Sequence, residues 1–228
     1  MLNKSLIDHA QFHLDNPALY NLGKWDSKPV TDRIQSRFLS RYVRISSALF
    51  PGIDAAVKSA TAWLLGEKHV ISFISSDENI NAVCLPGPDD QPIIWLSSGL
   101  VKTLTLNELR YVIGHELGHW YFRHYLYKDV APDAGPAFVA RQQLSRASEI
   151  SCDRIGLLSC GDLDLSLRAV LKTASGLPEE FIGPRISEFI NQTRSLEIDH
   201  LDEGEVYATH PPMVVRARAL VWFAMSDH

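Results

Sequence analysis

The sequence predicts a mostly helical α+β fold in which a small, mainly antiparallel sheet packs against helices. Segments of strand length that are rich in β-branched and apolar residues are confined to residues 69–96. Before and after this stretch, apolar residues recur at the spacing of helices that bury one face. With 46% hydrophobic and 21% charged residues in a chain of 228, the composition excludes disordered and fibrous proteins.

Two helices are expected before the sheet. Apolar residues recur at helical spacing over Thr31–Phe50, and Pro51-Gly52 then interrupts the pattern. A second helix is expected over Ile53–Leu65. We therefore expect residues 1–65 to form a helical extension that packs on the remainder of the chain within one compact unit.

Three short strands follow these helices. His69–Ser75 and Pro92–Leu96 are rich in β-branched and apolar residues, and Asn81–Leu85 lies between them. Pro86-Gly87-Pro88 ends the middle strand, and Asp89-Asp90 is expected to form a turn. We interpret these strands as a small, mainly antiparallel sheet.

Helices are expected to continue to the C-terminus. Thr105-Leu106-Asn107-Glu108 has the form of a capping box, and the helix that it opens should run to about Tyr125. Residues 126–136 are expected to form a loop. Four further helices are predicted, over Ala137–Leu158, 165–174, 179–196 and 213–225.

Charge and cysteine usage exclude several classes of function. The formal net charge of −5 argues against nucleic acid as a main partner, because phosphate binding requires clustered Lys and Arg. Cys84, Cys152 and Cys160 lack metal-binding or disulfide spacing, and we interpret them as buried free thiols in a reducing compartment. Without a signal peptide or an apolar run of about 18 residues, we expect a cytoplasmic protein with no transmembrane segment.

The capped helix contains the motif His115-Glu116-Leu117-Gly118-His119. Residues four apart lie on one face of a helix, so both imidazoles could reach one tetrahedral zinc ion. Glu116 points about 100° away from His115 and can take a proton from a water at the metal without being a ligand. The alternative is a buried helix with two hydrogen-bonded histidines. His124 lies outside the register of His119 and is interpreted as uninvolved.

The other sides of this helix are apolar or small. An apolar stripe lies away from the two histidines and consists of Leu109, Ile113, Leu117 and Trp120. Gly114 and Gly118 lie together on a third side, where another element could approach closely. The pattern therefore predicts a helix whose apolar face packs against the rest of the protein and whose opposite face carries the functional histidines.

A third metal ligand must come from elsewhere in the chain. The pattern H-E-x-x-H-x-x-G-x-x-H is excluded, because Phe122 and Tyr125 occupy its Gly and last His positions. A glutamate on the next long helix is the other common solution. Glu149 lies on such a helix, 30 residues after His119.

Asp153 lies one turn after Glu149 on the same face of that helix. A carboxylate there could hydrogen-bond the free nitrogen of a zinc-bound histidine. Alternatively, Glu149 is a solvated helix charge and Asp153 forms an ion pair with Arg146 or Arg154. The histidine pair upstream favours the metal-site interpretation.

Three motifs follow one another along the chain: His115-Glu116-Leu117-Gly118-His119, Glu149 with Asp153, and Thr209-His210-Pro211-Pro212-Met213-Val214-Val215-Arg216. In this order they resemble the gluzincin peptidases related to HtpX and the CAAX prenyl endopeptidase. Asn81-Ala82-Val83 before Leu85-Pro86-Gly87 is similar to that family's edge strand, and Ile94–Val101 to its strand-to-helix entry. The resemblance covers residues 70–228 and implies a zincin-like peptidase domain over 66–228.

The resemblance implies a zinc endopeptidase with one zinc ion per chain and a thermolysin-like site. His115, His119 and Glu149 would be the ligands, Glu116 the general base, and Asp153 the residue that orients a ligand. Such an enzyme would act on proteins or peptides, in protein quality control or regulated proteolysis. The alternatives are a protein-binding or chaperone module with little proteolysis, and a peptidase acting on something other than a protein.

The same resemblance implies that His210 and Arg216 lie near the metal and help to stabilise the transition state. His210 could instead take the open zinc position and inhibit the enzyme, or merely precede a helix. Arg216 could be a surface arginine. An extended substrate would add a strand to the edge strand Asn81-Ala82-Val83.

Overall fold

The structure, a computed structural model of the chain, describes residues 36–66, 68–127, 136–195 and 210–226. More than half of the expected N-terminal extension, and most of the expected loop at 126–136, lie outside the described residues. The described part is mostly helical with a small four-stranded sheet, which confirms the expected α+β fold.

Four strands and seven α-helices of six or more residues make up the described part of the chain. The strands are β1 (Val43–Arg44), β2 (Ile71–Ser75), β3 (Ala82–Pro86) and β4 (Pro92–Ser97). The helices are α1 (Pro51–Leu65), α2 (Ser98–Thr103), α3 (Leu106–Tyr121), α4 (Pro136–Cys160), α5 (Leu163–Ser175), α6 (Ile186–Asn191) and α7 (Met213–Met225). None of the helices in these described ranges is both long and apolar enough to span a membrane.

The strands pair in the order β1-β2-β4-β3. β1 with β2 and β3 with β4 are antiparallel, whereas β2 and β4 are parallel. The sheet is therefore mainly antiparallel, as expected, and β3 is its outermost strand on one side. The β3–β4 connection turns at Asp89 and Asp90, whose φ angles of 53° and 56° are tolerated by short polar side chains.

The segment before α1 differs from the expectation. The predicted helix over Thr31–Phe50 is wrong in most of its described part, since only residues 36–39 are helical. β1 pairs with β2 instead, and the amide of Ile45 donates to a carbonyl of β2 at 2.9 Å. Phe38 and Tyr42 pack on the apolar face of the sheet that is turned away from the helices. Leu39, Val43 and Leu49 of the same pattern are exposed, so the spacing does not mark the buried face of a helix.

The described part of the expected N-terminal extension is joined closely to the rest of the fold. β1 pairs with β2, and α1 packs on α3 and α4. The division of the chain at residue 65 stays a prediction.

The helix α3 lies at the centre of the fold and carries the two histidines of the motif. It begins at the expected capping box, in which the Thr105 hydroxyl accepts from the Glu108 amide and the Glu108 carboxylate accepts from the Thr105 amide. α1, α4, α5 and β3 pack around it. The predicted apolar stripe is buried: Leu109, Ile113, Leu117 and Trp120.

Glycines allow α3 and α4 to approach closely, as expected for Gly114 and Gly118. A Cβ atom on Gly118 would lie 3.1 Å from the Cα of Cys152, and one on Gly114 would overlap a serine side chain of α4. On α4, a Cβ atom at Gly156 would lie 2.8 Å from the carbonyl oxygen of Tyr111. This close packing brings the side chains of α4 to the histidines of α3.

Two predicted helices end or break earlier than expected. α3 ends at Tyr121 and not at Tyr125, and Arg123 adopts a left-handed φ of 57° just beyond it. The predicted helix over 179–196 is divided into α6 and two short 3₁₀ turns. Gly183-Pro184 explains this break, since the residue before a proline disfavours helical backbone. The other three predicted helices correspond to α4, α5 and α7.

Candidate active site

Three possible metal-ligand groups meet where α3 packs on α4. Nε2 of His115 is 3.2 Å from Nε2 of His119 and 3.4 Å from Oε2 of Glu149. Nε2 of His119 is 3.3 Å from Oε1 of Glu149. Two ligands of one tetrahedral zinc ion, each about 2.0–2.1 Å from the metal, are separated by about 3.3 Å. The three side chains therefore fit one zinc ion in both spacing and atom type.

The other ring nitrogen of His115 is held by Asp153. Nδ1 of His115 lies 2.9 Å from Oδ1 of Asp153, whose side chain is buried. Tyr111 donates its hydroxyl to the same oxygen at 2.6 Å. A carboxylate in this position favours the proton on Nδ1, which leaves the lone pair of Nε2 for a metal.

Arg216, at the first turns of α7, joins both carboxylates of α4. Its Nε and Nη2 atoms donate to the two oxygens of Asp153 at 2.8 and 2.6 Å. Its Nη1 atom lies 3.3 Å from Oε2 of Glu149. Arg216 is buried and not a surface arginine. The bidentate partner of Asp153 is thus distant in sequence and fixes the orientation of the carboxylate.

Burial and charge have opposing effects on the pKa values of this cluster. Burial would raise the pKa of Asp153, but the charge and hydrogen bonds of Arg216 hold it well below its usual range. Burial would also raise the pKa of Glu149, and hydrogen bonds with His115 and His119 hold it well below its usual range. Burial lowers the pKa of His115, yet its hydrogen bonds to Asp153 and Glu149 raise it to about 10. Both carboxylates are therefore ionised at neutral pH, and a proton competes with a metal for His115.

His124 lies beside the site, contrary to the expectation. Its Nδ1 atom is 3.1 Å from Nδ1 of His119 and 3.5 Å from Sγ of Cys152. The expectation assumes that the helix continues past His124, which would turn its side chain away from His119. Because α3 ends earlier and Arg123 has left-handed backbone, the chain turns back instead. Helical periodicity alone gives no signal for this residue.

The site opens into a cavity of about 670 Å³. Its lining includes Glu116, the three possible metal ligands and the expected edge strand Asn81-Ala82-Val83. Ala82 and Val83 pair with Leu96 and Trp95 of β4. In the described part of the chain, no strand pairs with the other side of β3. The expected base, ligands and edge strand therefore share one cavity.

His210 also lines this cavity, shortly before α7 begins. Its Nε2 atom lies 3.5 Å from Oε1 of Glu149, and its side chain is 62% exposed. Arg216 lies six residues later, in the first turn of α7, and its side chain is buried. The start of α7 thus brings an exposed imidazole and a buried guanidinium to the same glutamate.

The cysteines are free and buried, as expected. Burial raises the pKa of all three thiols, Cys84, Cys152 and Cys160. They are therefore protonated and weakly nucleophilic at neutral pH.

The model of peptidase family M48 matches residues 53–139 and 130–222 of this chain. The matched ranges cover more than half of the chain and contain every site residue described above. They also begin inside the expected N-terminal extension.

A known protein resembles this chain in sequence, and a solved structure resembles it in fold. The plastoglobule-localized metallopeptidase 48 of Arabidopsis thaliana, chloroplastic, is 29% identical over 165 residues, which are 61% of this chain and 47% of that protein. The crystal structure of S. mikatae Ste24p has a TM-score of 0.52 at 15% identity, over 82% of this chain and 54% of that one. This chain spans about half the length of each. The structural likeness shows the fold and agrees with the expected zincin-like class.

Proposed function

Because this chain belongs to peptidase family M48, we propose that it is a zinc-dependent endopeptidase. The observation that carries the proposal is the triangle of His115, His119 and Glu149, whose ligand atoms are 3.2, 3.3 and 3.4 Å apart. Glu116 lies on the cavity into which this triangle opens. Two merely structural histidines would require neither a carboxylate at the third corner nor a cavity in front of them.

The triangle would hold one zinc ion through two neutral imidazoles and one carboxylate. When bound by three protein ligands, zinc polarises a carbonyl group and lowers the pKa of a water molecule to about 7. By accepting from Nδ1 of His115, Asp153 favours the tautomer in which Nε2 carries the lone pair that would bind the metal.

Glu116 is the proposed general base. It follows His115 on α3 and lines the same cavity as the metal ligands. From there its carboxylate can take a proton from the attacking water and later give it to the leaving amine.

The family resemblance implies that Arg216 helps to stabilise the transition state, but its contacts favour a different role. Its guanidinium donates to Asp153 and lies beside Glu149, and its side chain is 10% exposed. These donors are committed to carboxylates, so Arg216 positions the ligands and does not stabilise the transition state directly.

His210 is better placed to contact a substrate, because it is exposed on the cavity wall beside Glu149. Its imidazole can donate a hydrogen bond to the carbonyl oxygen on which negative charge develops.

The proposed substrate is an extended segment of a protein or peptide. Asn81-Ala82-Val83 lines the cavity, and β3 is paired only with β4 among the described strands. The free side of β3 can therefore pair with a substrate backbone as an added strand. The compartment in which this occurs, expected to be the cytoplasm, stays a prediction.

The test combines zinc analysis with digestion of an unbiased peptide library by the wild-type chain and by Glu116→Gln. We expect about one zinc ion per chain in both proteins. Turnover should fall by about 10²–10⁴-fold in Glu116→Gln, since an amide cannot take the proton. The same substitution at the exposed Glu180 is the matched control and should change neither quantity.

Three outcomes would contradict parts of this proposal. Unchanged cleavage by Glu116→Gln would remove Glu116 from the mechanism. Full zinc retention by both His115→Ala and His119→Ala would reject the metal site. Stoichiometric zinc without cleavage of any peptide or unfolded protein would favour a protein-binding module.

A further inference from the structure

We propose that His124 is a positioning residue for the metal ligand His119 and holds its ring by a hydrogen bond between their Nδ1 atoms. This inference rests on the proposed function, since it takes His119 as a ligand of zinc. Each histidine of the motif then has its own hydrogen-bond partner at Nδ1, which is Asp153 for His115 and His124 for His119.

The two nitrogens of His119 face different groups. Nε2 lies 3.2 Å from Nε2 of His115 and 3.3 Å from Oε1 of Glu149, at the metal position. Nδ1 lies 3.1 Å from Nδ1 of His124. The ring centroids of His119 and His124 are 5.2 Å apart, with an angle of 77° between the planes. His124 therefore stands directly behind the ligand.

The chemistry of a metal-bound imidazole fixes the direction of this hydrogen bond. A neutral histidine that binds zinc through Nε2 carries its proton on Nδ1. That N–H group of His119 needs an acceptor, and Nδ1 of His124 is one when the proton of His124 is on Nε2. The hydrogen bond then fixes both the tautomer and the ring orientation of His119.

His124 is itself held in place. Its ring stacks on Phe122 with a centroid distance of 5.6 Å and an angle of 27°, and the residue is 9% exposed. The amide of Phe122 donates to the carbonyl of Gly118 at 3.0 Å, and Arg123 then turns the chain with a φ of 57°. The turn that ends α3 thus fixes the distance from His124 to His119.

A second arrangement of the same residues has to be distinguished. His119, His124 and Cys152 form a group that could hold a further metal ion. That ion would use Nδ1 of His119, so His119 would bridge two metals and lose both ring protons. A hydrogen bond requires no such bridge, and the two arrangements differ in zinc stoichiometry.

The first test measures zinc affinity by chelator competition for the wild-type chain, His124→Leu, His124→Asn and His69→Leu. Leucine removes the acceptor, whereas Oδ1 of asparagine is as many bonds from the backbone as Nδ1 of histidine and can accept. We expect His124→Leu to bind zinc about 10–100-fold more weakly and His124→Asn to recover most of the loss. His69 is exposed, and its substitution is the control that should have no effect.

A second measurement needs no variant. Long-range ¹H–¹⁵N spectra of the zinc-loaded wild-type chain report which nitrogen of each histidine carries a proton. We expect the proton on Nδ1 for His119 and on Nε2 for His124.

Several results would overturn the inference. One is wild-type zinc affinity in folded His124→Leu, another is an equal loss in His124→Asn, and a third is a proton on Nδ1 of His124. Two zinc ions per wild-type chain, falling to one in His124→Leu and in Cys152→Ala, would replace it by a second metal site. If the wild-type chain binds no zinc at all, the proposed function fails instead.

Discussion

Asp153 and Arg216 form a buried bidentate ion pair, with Nε–Oδ2 and Nη2–Oδ1 distances of 2.8 and 2.6 Å. Asp153 also lies 2.9 Å from Nδ1 of His115. One carboxylate therefore connects the C-terminal helix α7 with a metal ligand on α3. The orientation of His115 depends on a contact between segments far apart in the sequence.

Asp153→Asn tests this connection from its centre. The amide keeps the shape of the carboxylate but loses the charge that Arg216 and His115 share, so we expect zinc affinity to fall by about 10–100-fold while the fold survives. Chelator competition measures the affinity, and circular dichroism checks the fold. If this variant kept the wild-type zinc affinity and cleavage rate, Asp153 would serve only as a structural member of the ion pair.

Arg216→Lys tests the same connection from α7. Lysine keeps the positive charge but cannot donate to both oxygens of Asp153 in a planar fork. We expect zinc affinity to fall by about tenfold, through loss of the fixed orientation of Asp153. Arg218→Lys, at an exposed position on the same helix, is the matched control. Equal zinc affinity in both variants would show that charge alone is sufficient at position 216.

His210→Ala distinguishes two roles for the exposed histidine beside Glu149. We expect peptide cleavage to fall while zinc is retained, because a hydrogen bond to the developing negative charge is lost. Zinc content and steady-state cleavage, measured together, test this. A gain of activity would instead indicate a self-inhibiting ligand, and no change would leave His210 as a residue that merely precedes a helix.

Lys172 is the basis of a prediction on stability. It is fully buried on α5 and pairs with the buried Glu108 at 2.8 Å and with Glu179 at 2.6 Å. Lys172→Met leaves the carboxylate of Glu108 without this partner, and we expect a loss of about 3–5 kcal/mol in the free energy of unfolding. Lys102→Met, which removes an exposed pair with Glu78, should cost at most about 1 kcal/mol. Denaturant titration measures both, and equal small losses would contradict the prediction.

The same pair predicts the response to alkali. Burial lowers the pKa of Lys172, but its hydrogen bonds to Glu108 and Glu179 outweigh this and raise it above its usual value. A raised pKa in the folded state means that the stabilisation is complete below the unfolded-state value of about 10.4 and is lost as pH rises through the folded-state value. Wild-type stability should therefore fall more steeply above about pH 10 than that of Lys172→Met. If the stability of both proteins fell equally with rising pH, groups other than Lys172 would be responsible for the loss of stability in alkali.

The sequence by itself determined the parts of this protein that depend on neighbouring residues. The capping box at Thr105 and Glu108 closes through hydrogen bonds three residues apart, and the motif from His115 to His119 needs only one helical turn. Gly114 and Gly118 likewise indicated a close helix contact from local spacing. Such features are fixed by helix geometry, which the order of residues specifies directly.

Only the tertiary structure decided which distant groups meet. Val43 belongs to an apolar pattern of helical spacing, yet Val43 and Arg44 form a strand, because an edge of β2 pairs with their backbone. His124 reaches His119 only because α3 ends early, and Asp153 finds Arg216 because α7 packs on α4. Hydrogen bonds between segments far apart in sequence depend on how whole helices and strands pack. The spacing of residues along the chain does not indicate which of these segments lie close together in the fold.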